Sequence, residues 1–164
     1  MPIKYLKTGQ NGHLLDTNGN IFYLDEQSNL RFKSPTNLTL TEWQRTIFII
    51  DQVPDSNNNQ FVMIRFSLDR TVLVALDFGA NVRKSPFQST SNRWAIFRIV
   101  FVETETSATI GHGQMFRLEC VGNGNYLCRS TWNPALNSVF AHCPSFKPDE
   151  AIKFKFIPLP TITK

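Results

Sequence analysis

The chain has 164 residues, 41% hydrophobic and 18% charged, with a formal charge of +4, which suits one domain with a sizeable core and excludes both a disordered chain and two independent domains. Its seventeen Lys and Arg are scattered, the tightest group being Arg83-Lys84, so the basic balance describes a dispersed solvated surface and not a nucleic-acid stripe; heparin-like polyanions or an acidic protein partner stay open. No stretch approaches the run of about 18 apolar residues that a membrane span needs, and Met1 to Gly12 holds no apolar signal-peptide core, so the expectation is a protein made in the cytosol without membrane insertion.

In chain order, short β-rich runs occupy Leu14-Leu15, Ile21 to Leu24, Leu30 to Phe32, Arg45 to Ile50, Phe61 to Phe66 and Thr71 to Leu76. They continue through Trp94 to Val102, Met115 to Cys120, Tyr126 to Cys128, Val139-Phe140 and Ile152 to Ile157. Turn-rich patches such as Thr17 to Asn20 and Asp55 to Asn59 separate them, and no dozen residues sustain a helical apolar period. That is an all-β pattern.

The runs repeat. Phe22 to Leu24, Val72 to Val74 and Tyr126 to Cys128 recur roughly fifty residues apart, and a second marker keeps similar time as Thr46 to Ile50, Trp94 to Arg98 and Lys153 to Ile157. Three units of about four strands with no helices to cover a flat sheet must hide their edges by closing. The fold this predicts is a β-trefoil, with six strands in a barrel and six in capping hairpins. Alternation in Lys153 to Phe156 places both Phe on one face and both Lys on the other, as a barrel wall requires.

The stretch Gly122-Asn-Gly-Asn125 has no Lys-Ser/Thr pair and no helix start behind it, so it reads as a hairpin turn and not a phosphate loop; Asn18-Gly19 reads the same way, with both central residues at positive φ. Candidates for chemistry are thin. His142 and Cys143 point to opposite faces of a strand, and His13 and His112 beside glycines read as solvated loop residues. Asp25-Glu26, Glu103 with Glu105, and Asp149-Glu150 read as solvated turn charges. Cysteines 120, 128 and 143 lack zinc spacing and read as reduced thiols. The expectation is no enzyme, no cofactor and no metal, with function carried by loops as recognition.

Two stretches resemble the interleukin-1 cytokine family. Leu14 to Leu24 with Leu30 resembles its opening hairpin, and Arg45 to Ile50 with Asp55-Ser56 is similar to the corresponding segment of interleukin-18. Phe116 to Glu119, Gly124 and Tyr126 to Cys128 resemble the family's Phe-x-Ser and Gly-aromatic-Leu signature, with Leu118 in place of Ser, and Ile152 to Phe156 resembles its last strand. The resemblance spans about residues 12 to 157 and implies a single β-trefoil, monomeric when free, that binds an immunoglobulin-domain receptor and recruits an accessory receptor. It also implies release from the cytosol without the conventional pathway, and a soluble binding protein as a further partner. By resemblance, Gln52, Pro54, Asp55, Ser56 and Arg98 would contact the primary receptor, with Arg83 and Lys84 candidates for the accessory chain.

A receptor antagonist of the same family, a carbohydrate-binding trefoil and a protease-inhibiting trefoil are the alternatives. The Gln-x-Trp motif of ricin-type lectins is absent, its nearest fragments being Glu42-Trp43-Gln44 and Arg93-Trp94. On the cytokine reading, charge reversal at Asp55 is expected to weaken binding to the primary receptor in a surface-plasmon titration; unchanged affinity removes that residue from the interface.

Overall fold

The computed structural model describes residues 9–53, 61–75, 82–85, 93–102, 115–129, 137–144 and 147–159. Among them the strands are β1 (Asn11–Leu15), β2 (Ile21–Leu24), β3 (Leu30–Lys33), β4 (Phe48–Gln52), β5 (Phe61–Phe66) and β6 (Val72–Ala75). Then come β7 (Val82–Ser85), β8 (Phe97–Phe101), β9 (Phe116–Cys120), β10 (Tyr126–Arg129), β11 (Val139–Cys143) and β12 (Lys155–Pro158), with one short helix, α1 (Leu40–Trp43), between β3 and β4.

All pairings are antiparallel. Strands β12, β1, β4, β5, β8 and β9 follow one another around a barrel. A single bridge, Phe116 to Phe154, brings the segment leading into β12 against β9 and closes the ring. The other six strands form the hairpins β2–β3, β6–β7 and β10–β11. These hairpins touch through the bridges Asn29 to Arg83 and Arg31 to Ser138. The protein is a β-trefoil of three units, β1–β4, β5–β8 and β9–β12, and the two repeated sequence markers fall on the second and fourth strands of each unit.

Register aligns the units residue by residue. Gly12 faces Phe48, Val62 faces Phe97, and Phe116 faces Phe154. Two residues further on, Leu14, Ile64 and Leu118 are buried with Ile50, Ile99 and Phe156. The small member of one level answers the large member of the other: a Cβ added to Gly12 would meet Phe156 Cζ at 2.4 Å. Phe156 therefore fills the space that glycine leaves, and the alternation expected for Lys153 to Phe156 holds, with Phe154 and Phe156 fully buried and both lysines half-buried. Phe22 packs 4.9 Å from Phe154, ring centre to ring centre, and joins the hairpin cap to the barrel core.

The turns differ from expectation in one respect. The β1–β2 loop is closed by Asp16 N donating to Asn20 O, and the β9–β10 loop by Cys120 N donating to Asn125 O. Only Gly19 (φ 81°) and Gly124 (φ 73°) take positive φ, whereas Asn18 and Asn123 do not. The cause is local competition: Asp16 Oδ1 accepts from Asn18 N at 2.8 Å and Asn123 Oδ1 accepts from Asn125 N at 2.9 Å, which draws each loop into a longer turn with one left-handed residue at its end. β7 and the helical turn at Leu40–Trp43 were not anticipated, the strand expected from Arg45 begins at Phe48, and the helical turn at Arg93–Ala95 replaces the start of the strand expected from Trp94.

Phe156→Ala is expected to cost about 3 to 5 kcal/mol and Gly12→Ala about 1 to 3 kcal/mol in urea unfolding. In a Phe156→Leu background the glycine substitution should lose the part of its cost set by the ring and keep the part set by Ile157 O, which the added Cβ would meet at 2.7 Å, a coupling that a double-mutant cycle reads directly. Equal costs in both backgrounds would show that the ring does not occupy that space.

Candidate functional site

The residues expected to contact receptors are described only in part. Pro54, Asp55 and Ser56 lie outside the described residues. Gln52 ends β4, half-buried, and Arg98 stands two strands away on β8. Arg98 is occupied: its Nε donates to Glu119 Oε1 at 2.9 Å and its Nη2 to Glu119 Oε2 at 3.3 Å, and this pairing raises its pKa further. On β7, Arg83 is exposed, while Lys84 Nζ donates to Asp69 Oδ2 at 2.7 Å. Burial pushes the Asp69 carboxyl up, but Lys84 and Thr71 outweigh it and hold the pKa at about 2.

A different constellation is built where the β3–β4 connection folds back over the β2–β3 hairpin. There a cavity of about 400 Å3 is framed on one side by Asp25, Glu26 and Gln27 in the hairpin loop, and on the other by Thr39, Thr41 and Glu42 of α1 and its cap. Tyr23, Arg31 and Arg45 complete it. The wall exists because Thr39 and Glu42 form a capping box: Glu42 N donates to Thr39 Oγ1 at 3.1 Å and Thr39 N donates to Glu42 Oε1 at 3.0 Å.

The opposite lip is fixed by Asp25. Its Oδ1 accepts from Gln27 N and Asn29 N, both at 2.9 Å, its Oδ2 pairs with Arg31 Nε, and Ser28 takes the left-handed conformation the loop needs (φ 69°). Arg31 Nη1 also donates to Ser138 Oγ at 3.1 Å, tying this lip to the third unit. Arg45 Nε donates to Leu24 O at 2.6 Å and its Nη2 to Asp25 O at 3.2 Å. Lys33 Nζ donates to Glu42 Oε1 and Oε2 at 3.0 and 2.9 Å. Burial pushes the Glu42 carboxyl up, yet the Lys33 and Thr39 hydrogen bonds leave its pKa below the ordinary value, and the Glu42 bond raises Lys33. Burial, followed by the Glu42 charge, raises the Tyr23 phenol.

Two sequence expectations change. Asp25 is a tethered structural carboxylate with a side chain only 13% exposed, whereas Glu26 beside it is exposed as expected. His13 lies in β1, half-buried, with Nδ1 3.2 Å from Thr46 O and its ring against the edge of Trp43, so it is not a loop residue. Glu103, Glu105 and His112 fall outside the described residues. The three cysteines are buried, and burial pushes the Cys120 and Cys143 thiols up. Among the described residues no three His, Cys, Asp or Glu lie close enough to hold a metal. The run Thr39-Leu-Thr-Glu42 was the sequence signal that would have found one wall of the cavity.

No family model and no curated protein matches the chain. Solved structures do. The chain is similar to ThreeFoil, a designed 3-fold symmetric protein, at 12% identity and a TM-score of 0.61, covering 91% of this chain and 99% of that one. It is similar to a Polyporus squamosus lectin at 8% identity and a TM-score of 0.63, covering 94% of this chain and 50% of that one. A third likeness is to a GlcNAcα1-4Gal releasing endo-β-galactosidase from Clostridium perfringens, at 10% identity and a TM-score of 0.65, covering 93% of this chain and 33% of that chain. At these identities the likeness is one of fold.

Asp25→Ala is expected to destabilise the protein by about 1 to 3 kcal/mol by orphaning two backbone donors and the Arg31 guanidinium. Glu26→Ala should stay within about 0.5 kcal/mol. Hydrogen exchange should show lost protection at Gln27 and Asn29 in the first variant alone; equal behaviour of the two would return Asp25 to the solvated class.

Proposed function

We propose that this β-trefoil is a glycan-binding protein whose combining site is the cavity between the β2–β3 loop and α1. The observation that carries the reading is the internal pairing of the cavity's charges. Arg31 pairs with Asp25 and Lys33 with Glu42, while Arg45, bonded to two backbone carbonyls, keeps a positive charge that the exposed Glu26 on the same lining balances, so no strong net field faces a ligand. What they offer is a fixed array of donors and acceptors, supplemented by the Thr41 hydroxyl and the Gln27 amide. A sugar hydroxyl donates and accepts at once, so a neutral polyhydroxylated ligand matches such an array with little desolvation of charge.

The same pairing supports a binder over a hydrolase. A glycosidase needs one carboxyl held protonated near neutrality and a second poised opposite. Here Glu42 is shifted the other way and Asp25 is locked to Arg31. The neighbours guide the choice of probe. The Polyporus squamosus lectin was solved with Neu5Acα2-6Galβ1-4GlcNAc and the Clostridium perfringens protein releases GlcNAcα1-4Gal, so galactose-containing oligosaccharides come first. The interleukin-1-like reading rests on the sequence resemblance, and Arg98, one of its described contact residues, is committed to Glu119.

On a glycan array the chain is expected to bind a restricted set of neutral or galactose-containing glycans. Gln27→Ala combined with Thr41→Ala, both at exposed positions, should weaken that binding roughly tenfold or more with an unchanged melting temperature. An empty array, with tight binding to an interleukin-1-family receptor ectodomain that strengthens when the accessory chain is added, would replace this reading with the cytokine one.

A further inference from the structure

A second cavity, of about 240 Å3, lies at the seam between the first and third units. Asp16, Thr17 and Asn18 of the β1–β2 turn form one wall, and Asp149, Glu150 and Lys153 of the β11–β12 connection form another, with Arg129 at the end of β10 and Phe22 and Phe32 completing the lining. None of these residues belongs to the first cavity, and none was singled out as a binding residue by its sequence.

Its charges are arranged differently. Arg129 is exposed and lies over Phe32, its Cζ 4.9 Å from the ring centre. A guanidinium over an aromatic ring spends none of its N–H donors on a hydrogen bond to it and can fork onto a planar carboxylate. Neither Arg129 nor Lys153 forms an ion pair among the described residues, although three carboxylates share the lining. Asp16 is saturated, accepting from Asn18 N at 2.8 Å, Asn20 N at 2.9 Å and Asn20 Nδ2 at 3.0 Å. Asp149 lies 3.9 Å from Arg117, and its side chain is 97% exposed.

We infer that this cavity is a site for a carboxylated sugar unit, of the sialic or uronic acid kind, with Arg129 and Lys153 taking the acid group. A bare anion would be repelled by Glu150 and Asp149, and a bare polyol would leave the two cations unused. One ligand class satisfies both halves: a single carboxylate on a ring of hydroxyls, the hydroxyls donating to Glu150 and Asp149 and meeting Thr17 and Asn18. The volume is below the range of drug-sized pockets, about 300 to 1,000 Å3, and so suits one sugar unit and not a chain. The site is separate from the first cavity and stands or falls without it.

The test is ligand-observed NMR and calorimetry on the full chain with free N-acetylneuraminic acid, glucuronic acid, glucose and acetate. At least one of the acidic sugars is expected to bind roughly tenfold or more tightly than either glucose or acetate. Arg129→Gln should abolish that preference and Glu150→Gln, which removes the repulsion of a bare anion, should narrow the margin over acetate, while Arg83→Gln, at an exposed arginine elsewhere, and the Gln27→Ala, Thr41→Ala pair leave the preference unchanged. Acidic sugars that bind no better than acetate or glucose, or a preference that survives Arg129→Gln, would overturn the assignment. Loss of acidic-sugar binding on the Gln27, Thr41 substitutions would place it in the first cavity instead. Glycan-array binding that depends on Gln27 and Thr41 tests the first cavity alone, so the two fail separately.

Discussion

The structure depends on one pair of residues meeting. Phe116 N donates to Phe154 O at 2.9 Å and Phe154 N to Phe116 O at 2.7 Å, and this exchange converts a path of five strand pairings into a ring. Without it, β9 and the approach to β12 would each present an open edge, the hazard that a helix-poor chain has few other means to cover. The two side chains of the same pair stack in the core with ring centres 6.0 Å apart. Closure and core packing are thus the same contact, made within the third unit at the level where Gly12 meets Phe48 in the first unit and Val62 meets Phe97 in the second.

Both cavities follow from that closure. A trefoil directs its hairpins to one end, and the connections between hairpin and barrel must fold back across the strands they leave. In the first unit that connection contains a capped helical turn and makes one wall of a polar cavity. At the seam between first and third units, the β11–β12 connection lies beside the β1–β2 turn and makes another. The barrel supplies rigidity; the connections supply chemistry, which is how one scaffold serves many ligands.

The strand plan was largely legible because barrel strands carry strict alternation and because the plan is written three times over. Phe61–Phe66 reads as a strand from its residues alone, and the recurrence of the Phe22 to Leu24 pattern at Val72 and Tyr126 supplies the architecture. β7 escaped notice because Val82–Ser85 carries a single buried residue before Arg83 and Lys84, and its pairing is held by β6 and by contacts with the neighbouring hairpin. The cavities were not legible as sites. Asp25 and Glu26 are indistinguishable as adjacent turn carboxylates until Arg31 is seen to reach one of them, and Arg129 gains meaning only from Phe32, a residue nearly a hundred positions away that tertiary folding places beneath it.

The exchange of volume between Gly12 and Phe156 breaks the threefold symmetry of the core. A trefoil assembled from three identical units needs one sequence whose core residues fill the barrel by threefold symmetry. Here the first and third units lack that ability. Tripling the first would set three glycines against three isoleucines and leave a void; tripling the third would crowd Phe116 and Phe156 into the axis three times each. The first and third units are complementary parts, and neither can be exchanged for the other without rewriting the core around it.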